Sequence, residues 1–227
     1  MGSVVYIVVV GGPCSGKTTV VRGLKDKLTS LGYTVFVIED QAREIIREQQ
    51  AIGGRLLPWI DRLGFELEVA RRHYNLLKQA LSKGYDFIIE DSGIPATLAY
   101  LRADGIKPPK ELLEIIEEVK KIIDIVLAMK SPIRYTRDSE RWEDYEYAMR
   151  IHNEIIRVHE ELLGDRLFIL DSYSRVEVRI QEALNLTLKV LNWRRQGRLQ
   201  SQPINGLIRL VGSSSKNNSY DNLGKGL

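Results

Sequence analysis

Hydrophobic positions come in two rhythms along this chain, and the rhythms alternate. Val4 to Val10 is an unbroken apolar run rich in β-branched residues, the pattern of a strand buried on both faces. Val20, Val21, Leu24, Leu28 and Leu31 then recur at helical spacing, and Gly32 stands where that helix should stop. Thr34 to Ile38 reads as a second strand ending at Glu39-Asp40, followed by helix through Ala42, Ile45 and Ile46 up to Gly53-Gly54. Ala70, Tyr74, Leu77 and Leu81 mark a helix from Leu63 to Lys83, closed by Gly84. Phe87-Ile88-Ile89 is a third buried strand that runs into Glu90-Asp91. A short helical piece around Leu98 to Arg102 leads to Gly105 and Pro108-Pro109, an amphipathic helix from Lys110 to about Lys121, and a fourth strand, Ile125 to Met129.

Beyond a polar stretch, a long helix ends at Gly164, with Tyr145, Ala148, His152, Ile155, His159 and Leu162 as its packed stripe. Leu167 to Leu170 is the fifth strand. Ser174-Arg175-Val176-Glu177 has the form of a capping box opening a last helix through Ile180, Leu184, Leu188 and Leu191. Strands alternating with helices predict an α/β domain over residues 1–191, with a mostly parallel sheet covered on both faces. From Asn192 to Leu227 the chain turns rich in Gly, Ser, Asn and Gln, and a basic, mobile tail is expected. The alternative there is a small hairpin or an oligomer contact built on Ile204 to Val211.

Composition narrows the class. With 44% apolar and 28% charged residues the chain reads as an ordinary soluble globular domain, and no apolar run approaches the length of a membrane span. The N-terminus enters the first strand without the features of a secretory signal, and one cysteine, Cys14, rules out an internal disulfide. A cytoplasmic protein with no membrane partner is expected. The net charge of +3 misleads: from Asn192 onward there are six basic residues and one acid, leaving 27 basic against 29 acidic residues before it. A nucleic-acid partner would want its basic face on the folded part, and finds little support here.

The chemistry concentrates after the first strand. Gly11-Gly12-Pro13-Cys14-Ser15-Gly16-Lys17-Thr18 matches G-x-x-x-x-G-K-[ST], between a buried strand and an amphipathic helix as that phosphate-binding pattern requires. Gly11 and Gly16 allow positive φ and close approach of an anion. Loop amides and the helix N-terminus then offer donors and partial positive charge to a polyphosphate. Lys17 can reach the β and γ phosphates, Thr18 can ligate Mg²⁺, and Thr19 completes the nucleotide-binding stretch.

Ligands in such sheets bind at the carboxyl ends of the strands. Asp91 is therefore the leading candidate to hold Mg²⁺ opposite Thr18, with Glu90 competing, since only one of two successive side chains should face the phosphates. Asp40 or Glu39 could accept a proton from a substrate hydroxyl, and Arg43 could pair with a substrate phosphate; a plain helix N-terminus favours such acids anyway. Arg134, Arg137 and Arg141 could stabilise phosphoryl transfer from a segment closing over the site, with Arg137 and Arg141 ahead, although Asp138, Glu140, Glu143 and Asp144 could simply pair with them. His152 and His159 read as packing or capping residues, and Cys14 as a small spacer. Trp59 and Phe65 could stack on an acceptor ring or pack in the core.

These motifs, in this order, resemble the nucleotide-kinase-like P-loop proteins that include the ribosylnicotinamide kinase domain of bacterial NAD regulators, and more distantly the thymidylate-kinase-like proteins. The marks are the loop itself, Asp40-Gln41-Ala42-Arg43-Glu44, Asp91-Ser92-Gly93-Ile94-Pro95 with Leu98-Ala99-Tyr100, and Tyr135, Asp138 and Arg141 leading to Ile151-His152. The resemblance implies a three-layer sandwich on a five-stranded parallel sheet, ATP or GTP with Mg²⁺ as cofactor, and an arginine-bearing lid at residues 131–142. Ser92 stands where relatives frequently have arginine, Ala96 where they have an acid, and Asp40 where they have Glu. The expected activity is transfer of the γ-phosphoryl group to a small nucleoside- or nucleotide-like acceptor, by a monomer or a homo-oligomer. The alternative is a nucleotide-dependent switch or slow NTPase acting on a protein partner.

Overall fold

A strand that is apolar at every position must be covered on both sides, and the computed structural model, which describes residues 4–130, 144–170 and 175–197, shows how. Strand β1 (Val5–Val10) is followed by α1 (Lys17–Ser30), β2 (Val35–Ile38), α2 (Gln41–Ile52), α3 (Arg62–Lys83) and β3 (Phe87–Asp91). Then come α4 (Pro95–Ala103), α5 (Lys110–Val119), β4 (Ile125–Met129), α6 (Tyr145–Leu163), β5 (Leu167–Leu170) and α7 (Val176–Arg195). The five strands form one parallel sheet in the order β2-β3-β1-β4-β5, the middle layer of a three-layer α/β fold.

Alternation along β1 splits the core in two. Tyr6, Val8 and Val10 pack with residues of α3, α4, α5 and α6. Val5, Ile7 and Val9 pack with α1 and α7 on the opposite face. Each fully buried aliphatic side chain contributes roughly 1.5–3 kcal/mol, so the central strand is the most firmly held element of the sheet. The order of connections reverses at β1, and the crevice beyond its carboxyl end is where this topology places a ligand.

The last helix starts at Val176, next to Arg175; Ser174 of the expected capping box lies outside the described residues. One expectation at the C-terminal end is corrected: that helix runs past Leu191 to Arg195, so the packed unit includes four residues assigned to the tail. Trp193 is buried against the α1 face, and Arg194 Nε lies 2.8 Å from Asp124 Oδ1 while also donating to the Val4 carbonyl. Asp124 Oδ2 accepts from the Tyr6 amide at 2.8 Å, which fastens the end of α7 to the start of β1. Burial pushes the Asp124 carboxyl up to about 6, against the pull of Arg194. The tail from residue 198 on lies outside the described residues. No described helix is long and apolar enough to cross a membrane.

His159 packs as expected, at a pH-dependent cost. It is fully buried on α6, its Nδ1–H donates to the Ile155 carbonyl at 2.8 Å, and burial lowers its pKa to about 4. With an unfolded value of about 6.5, its contribution is complete above that pH and is lost as pH falls toward 4. His159→Met should therefore shrink the loss of unfolding free energy between pH 7.5 and 5 by about 2 kcal/mol, read by urea denaturation. Equal losses in both proteins would contradict this assignment.

Candidate active site

The loop after β1 begins at Gly11 and ends at Gly16, the N-cap residue of α1. Helices α2, α3 and α6 have their first amides met by the side chains of Asp40, Asp61 and Asp144. Helix α1 has no side-chain cap and no acid in its first turn, so its positive end stays unneutralised by its own sequence. Gly11 and Gly16 adopt φ of +148° and +87°. Cys14 does so too, at +61°, which makes its position narrower than a spacer would need. Lys17 Nζ donates to the Gly12 carbonyl at 3.0 Å, and Thr19 is exposed on the first turn of α1. The Ser15 hydroxyl is buried under the loop with no partner among the described residues.

Helix α6 closes the loop from one side. The Gly12 amide donates to His152 Nδ1 at 3.0 Å, a contact spanning 140 residues of sequence. A Cβ on Gly12 would stand 2.6 Å from His152 Cβ and 3.0 Å from its Cα, so only glycine fits under α6 at that point. Burial, and then the Lys17 ammonium, hold His152 below the usual histidine value and keep Nδ1 available as an acceptor. The His152 imidazole is thus a direct partner of the loop, a role beyond packing that its place on a helical stripe did not disclose.

Strand register separates the two acids at the end of β3. Glu90 pairs with Val8 and points into the α3–α6 layer, where it accepts from the Tyr6 hydroxyl and lies 2.5 Å from His73 Nδ1. His73 Nε2 accepts from the Gln41 amide at 3.3 Å, so the hydrogen-bond pattern assigns the ring proton to Nδ1. Burial, then Glu90, raise the Tyr6 phenol well above its ordinary value. Asp91 pairs with Val9 and turns the other way, accepting from Thr18 Oγ1 at 2.7 Å. Burial pushes its carboxyl above the usual range, against the pull of Lys17, and Asp91 Oδ1 is buried without a partner among the described residues.

Two cavities open on the β2–β3 side of the loop, and Asp40 lines both. The larger, of about 370 Å³, also meets Thr18, Arg22, Glu39, Arg43 and Asp91. The smaller, of about 80 Å³, is walled by Ala42, Ile46, Pro58, Phe65, Val69 and Ala96, with Ser92 and Thr97 at its polar edge. The Asp40 side chain accepts from the Ala42 amide at 3.0 Å, so it caps α2 while facing both spaces. Phe65 lines the smaller cavity from the core, whereas Trp59 is 43% exposed and lines neither.

Sequence reading missed the floor of that cavity. Arg62 donates to Glu66 Oε1 and Asp104 Oδ2, both at 2.9 Å, and to the Tyr147 hydroxyl at 3.2 Å. Burial pushes the Glu66 carboxyl up to about 8, against Arg62. The readable signal was there: Arg62 and Glu66 are an i, i+4 pair on the stripe of α3 that carries Phe65, Val69 and His73. Arg134, Arg137, Arg141 and the whole segment 131–142, where a lid is expected, lie outside the described residues.

The donor set fits a divalent ion held jointly with phosphates. No cluster of three or more His, Cys, Asp or Glu side chains able to hold a metal occurs among the described residues. One hydroxyl and one carboxylate with an unpartnered oxygen is instead the sparse set that suits Mg²⁺, which keeps waters and substrate oxygens as its other ligands.

Comparison with known proteins agrees with this architecture. The profile of an AAA domain family matches residues 6–177. The crystal structure of thymidylate kinase from Ehrlichia chaffeensis superposes with a TM-score of 0.60 at 17% identity, covering 81% of this chain and 98% of that one. No curated protein matches the sequence. The structural likeness bears on the fold and does not reach an acceptor.

Gly12→Ala should force α6 away from the loop and cost about 1–3 kcal/mol in denaturant unfolding. A change within about 0.5 kcal/mol of zero would contradict the tight contact at His152.

Proposed function

The chain belongs to that AAA domain family, and from this premise we propose that it is a Mg²⁺-dependent phosphotransferase that passes the γ-phosphoryl group of ATP or GTP to a small nucleoside- or nucleotide-like acceptor. The observation that carries the reading is the Thr18–Asp91 hydrogen bond at the uncapped start of α1, with Asp91 Oδ1 unpartnered and two cavities alongside. The loop amides and Lys17 hold the phosphate oxygens, and Thr18 and Asp91 hold the ion, which when bound offsets the charge of the β and γ phosphates. The acceptor approaches from the side of the two cavities, with its hydroxyl toward Asp40, which lines both.

In the transfer, the acceptor oxygen forms a bond to the γ phosphorus and the β–γ bridging bond breaks, its electron pair leaving with the diphosphate. The hydroxyl proton passes to the Asp40 carboxylate, which is held in place as the cap of α2. Arg137 and Arg141 are the proposed stabilisers of the spread negative charge, brought from the 131–142 segment.

Two substitutions separate binding from transfer. Lys17→Ala should weaken ATP and GTP binding by roughly 10- to 100-fold while the melting temperature stays close to that of the parent. Unchanged affinity would remove the proposed phosphate site. Asp40→Asn keeps a good cap for α2, and should leave ATP affinity intact while lowering acceptor-dependent turnover by roughly 100-fold. The assay is consumption of ATP against a panel of nucleosides, nucleotides and ribosylated pyridines. Slow hydrolysis that no acceptor accelerates would contradict the kinase reading and mark a nucleotide switch.

A further inference from the structure

Opposite the two cavities, on the β4 side of the loop, stands a buried cation with no counter-charge among the described residues. Arg179, in the first turn of α7, is only 8% exposed, and its Nε is buried with no hydrogen-bond partner. None of the hydrogen bonds or ion pairs found among the described residues involves its guanidinium. Its Nη1 lies 3.3 Å from the point where a Cβ on Gly16 would stand, and Met129 at the end of β4 reaches the same point at 4.0 Å. The charge therefore sits against the last loop residue, beside the positive end of α1 and at the positive end of its own helix. Two helix N-termini disfavour a cation there, and burial disfavours it further. Such a placement makes sense if an anion completes it.

We propose that Arg179 is a nucleotide-binding residue, its guanidinium holding the nucleoside-proximal phosphates of the triphosphate from the α7 side of the loop; the assignment rests on the triphosphate reading given above. Direction follows from the sides of the site. Asp91, Asp40 and both cavities lie toward β3 and β2, so the γ-phosphoryl end faces them. The chain of phosphates then crosses the loop toward β4, where Gly16 has no side chain to stand between it and Arg179. A planar guanidinium can take two phosphate oxygens at once, and Gly16 is required there for a second reason beyond its φ.

The test is calorimetric titration of the full chain with MgATP and with ADP, using Arg179→Met, Arg179→Lys and the Lys17→Ala control. Arg179→Met should weaken both nucleotides by a similar factor of roughly 10-fold or more, because both carry the nucleoside-proximal phosphates. Arg179→Lys should recover part of the loss. The ligand-free melting temperature of Arg179→Met should equal or exceed that of the parent, since an uncompensated buried charge has been removed. A purely structural arginine would do the reverse. Parent-like affinity in Arg179→Met, or a lowered melting temperature with affinity unchanged, would overturn the proposal and leave the phosphate loop standing. Failure of the parent protein to bind either nucleotide would instead remove the triphosphate reading itself, and this proposal with it.

Discussion

The loop can present its amides only because nothing beneath or beside it has room to give. Every residue of β1 is buried, on two faces at once, so the chain leaves the sheet at Val10 from a fixed point and in a fixed direction. Seven residues later it must begin a helix, and Gly12 is trapped between its own neighbours and α6 by a hydrogen bond to His152. Rigidity of that kind is what a phosphate site needs, since donors already in place cost little to organise when the anion arrives.

The two acids ending β3 show how one strand serves both stability and chemistry. Glu90 is spent on the interior, tying Tyr6 of β1 through His73 of α3 to the first amide of α2. That chain of contacts fixes where α2 starts, and hence where Asp40, its cap, stands between the two cavities. Asp91, one residue on and facing the other way, is left with an oxygen that no described residue satisfies. A buried network thus positions one candidate acid while the register of the same strand exposes another to the loop.

Much of this was legible in the sequence because it is local. The ranges of β4 and β5 could be read directly, as apolar runs bounded by polar residues, and so could the strand–loop–helix context of the phosphate pattern. Local pattern left Glu90 and Asp91 undivided, because which face looks at the loop depends on the neighbour of β3 in the sheet. His152 and Arg179 were beyond reach for the same reason: each meets the loop only after some 140 or more residues have folded back on it. The end of α7 was misjudged because a polar, glycine-bearing composition begins there, while Trp193 and Arg194 are held by tertiary contacts with the opposite end of the chain.

The central claim is that the mouth of this loop binds a triphosphate with its divalent ion between Thr18 and Asp91. A crystal grown with Mn²⁺ and a non-hydrolysable ATP analogue tests it most directly, through the anomalous signal of the metal. The account predicts a single peak at about 2.1–2.3 Å from Thr18 Oγ1, with Asp91 bound to it directly or through one water and the β and γ phosphates seated over residues 12–17. Phosphates located elsewhere, or a metal with no contact to either side chain, would contradict it.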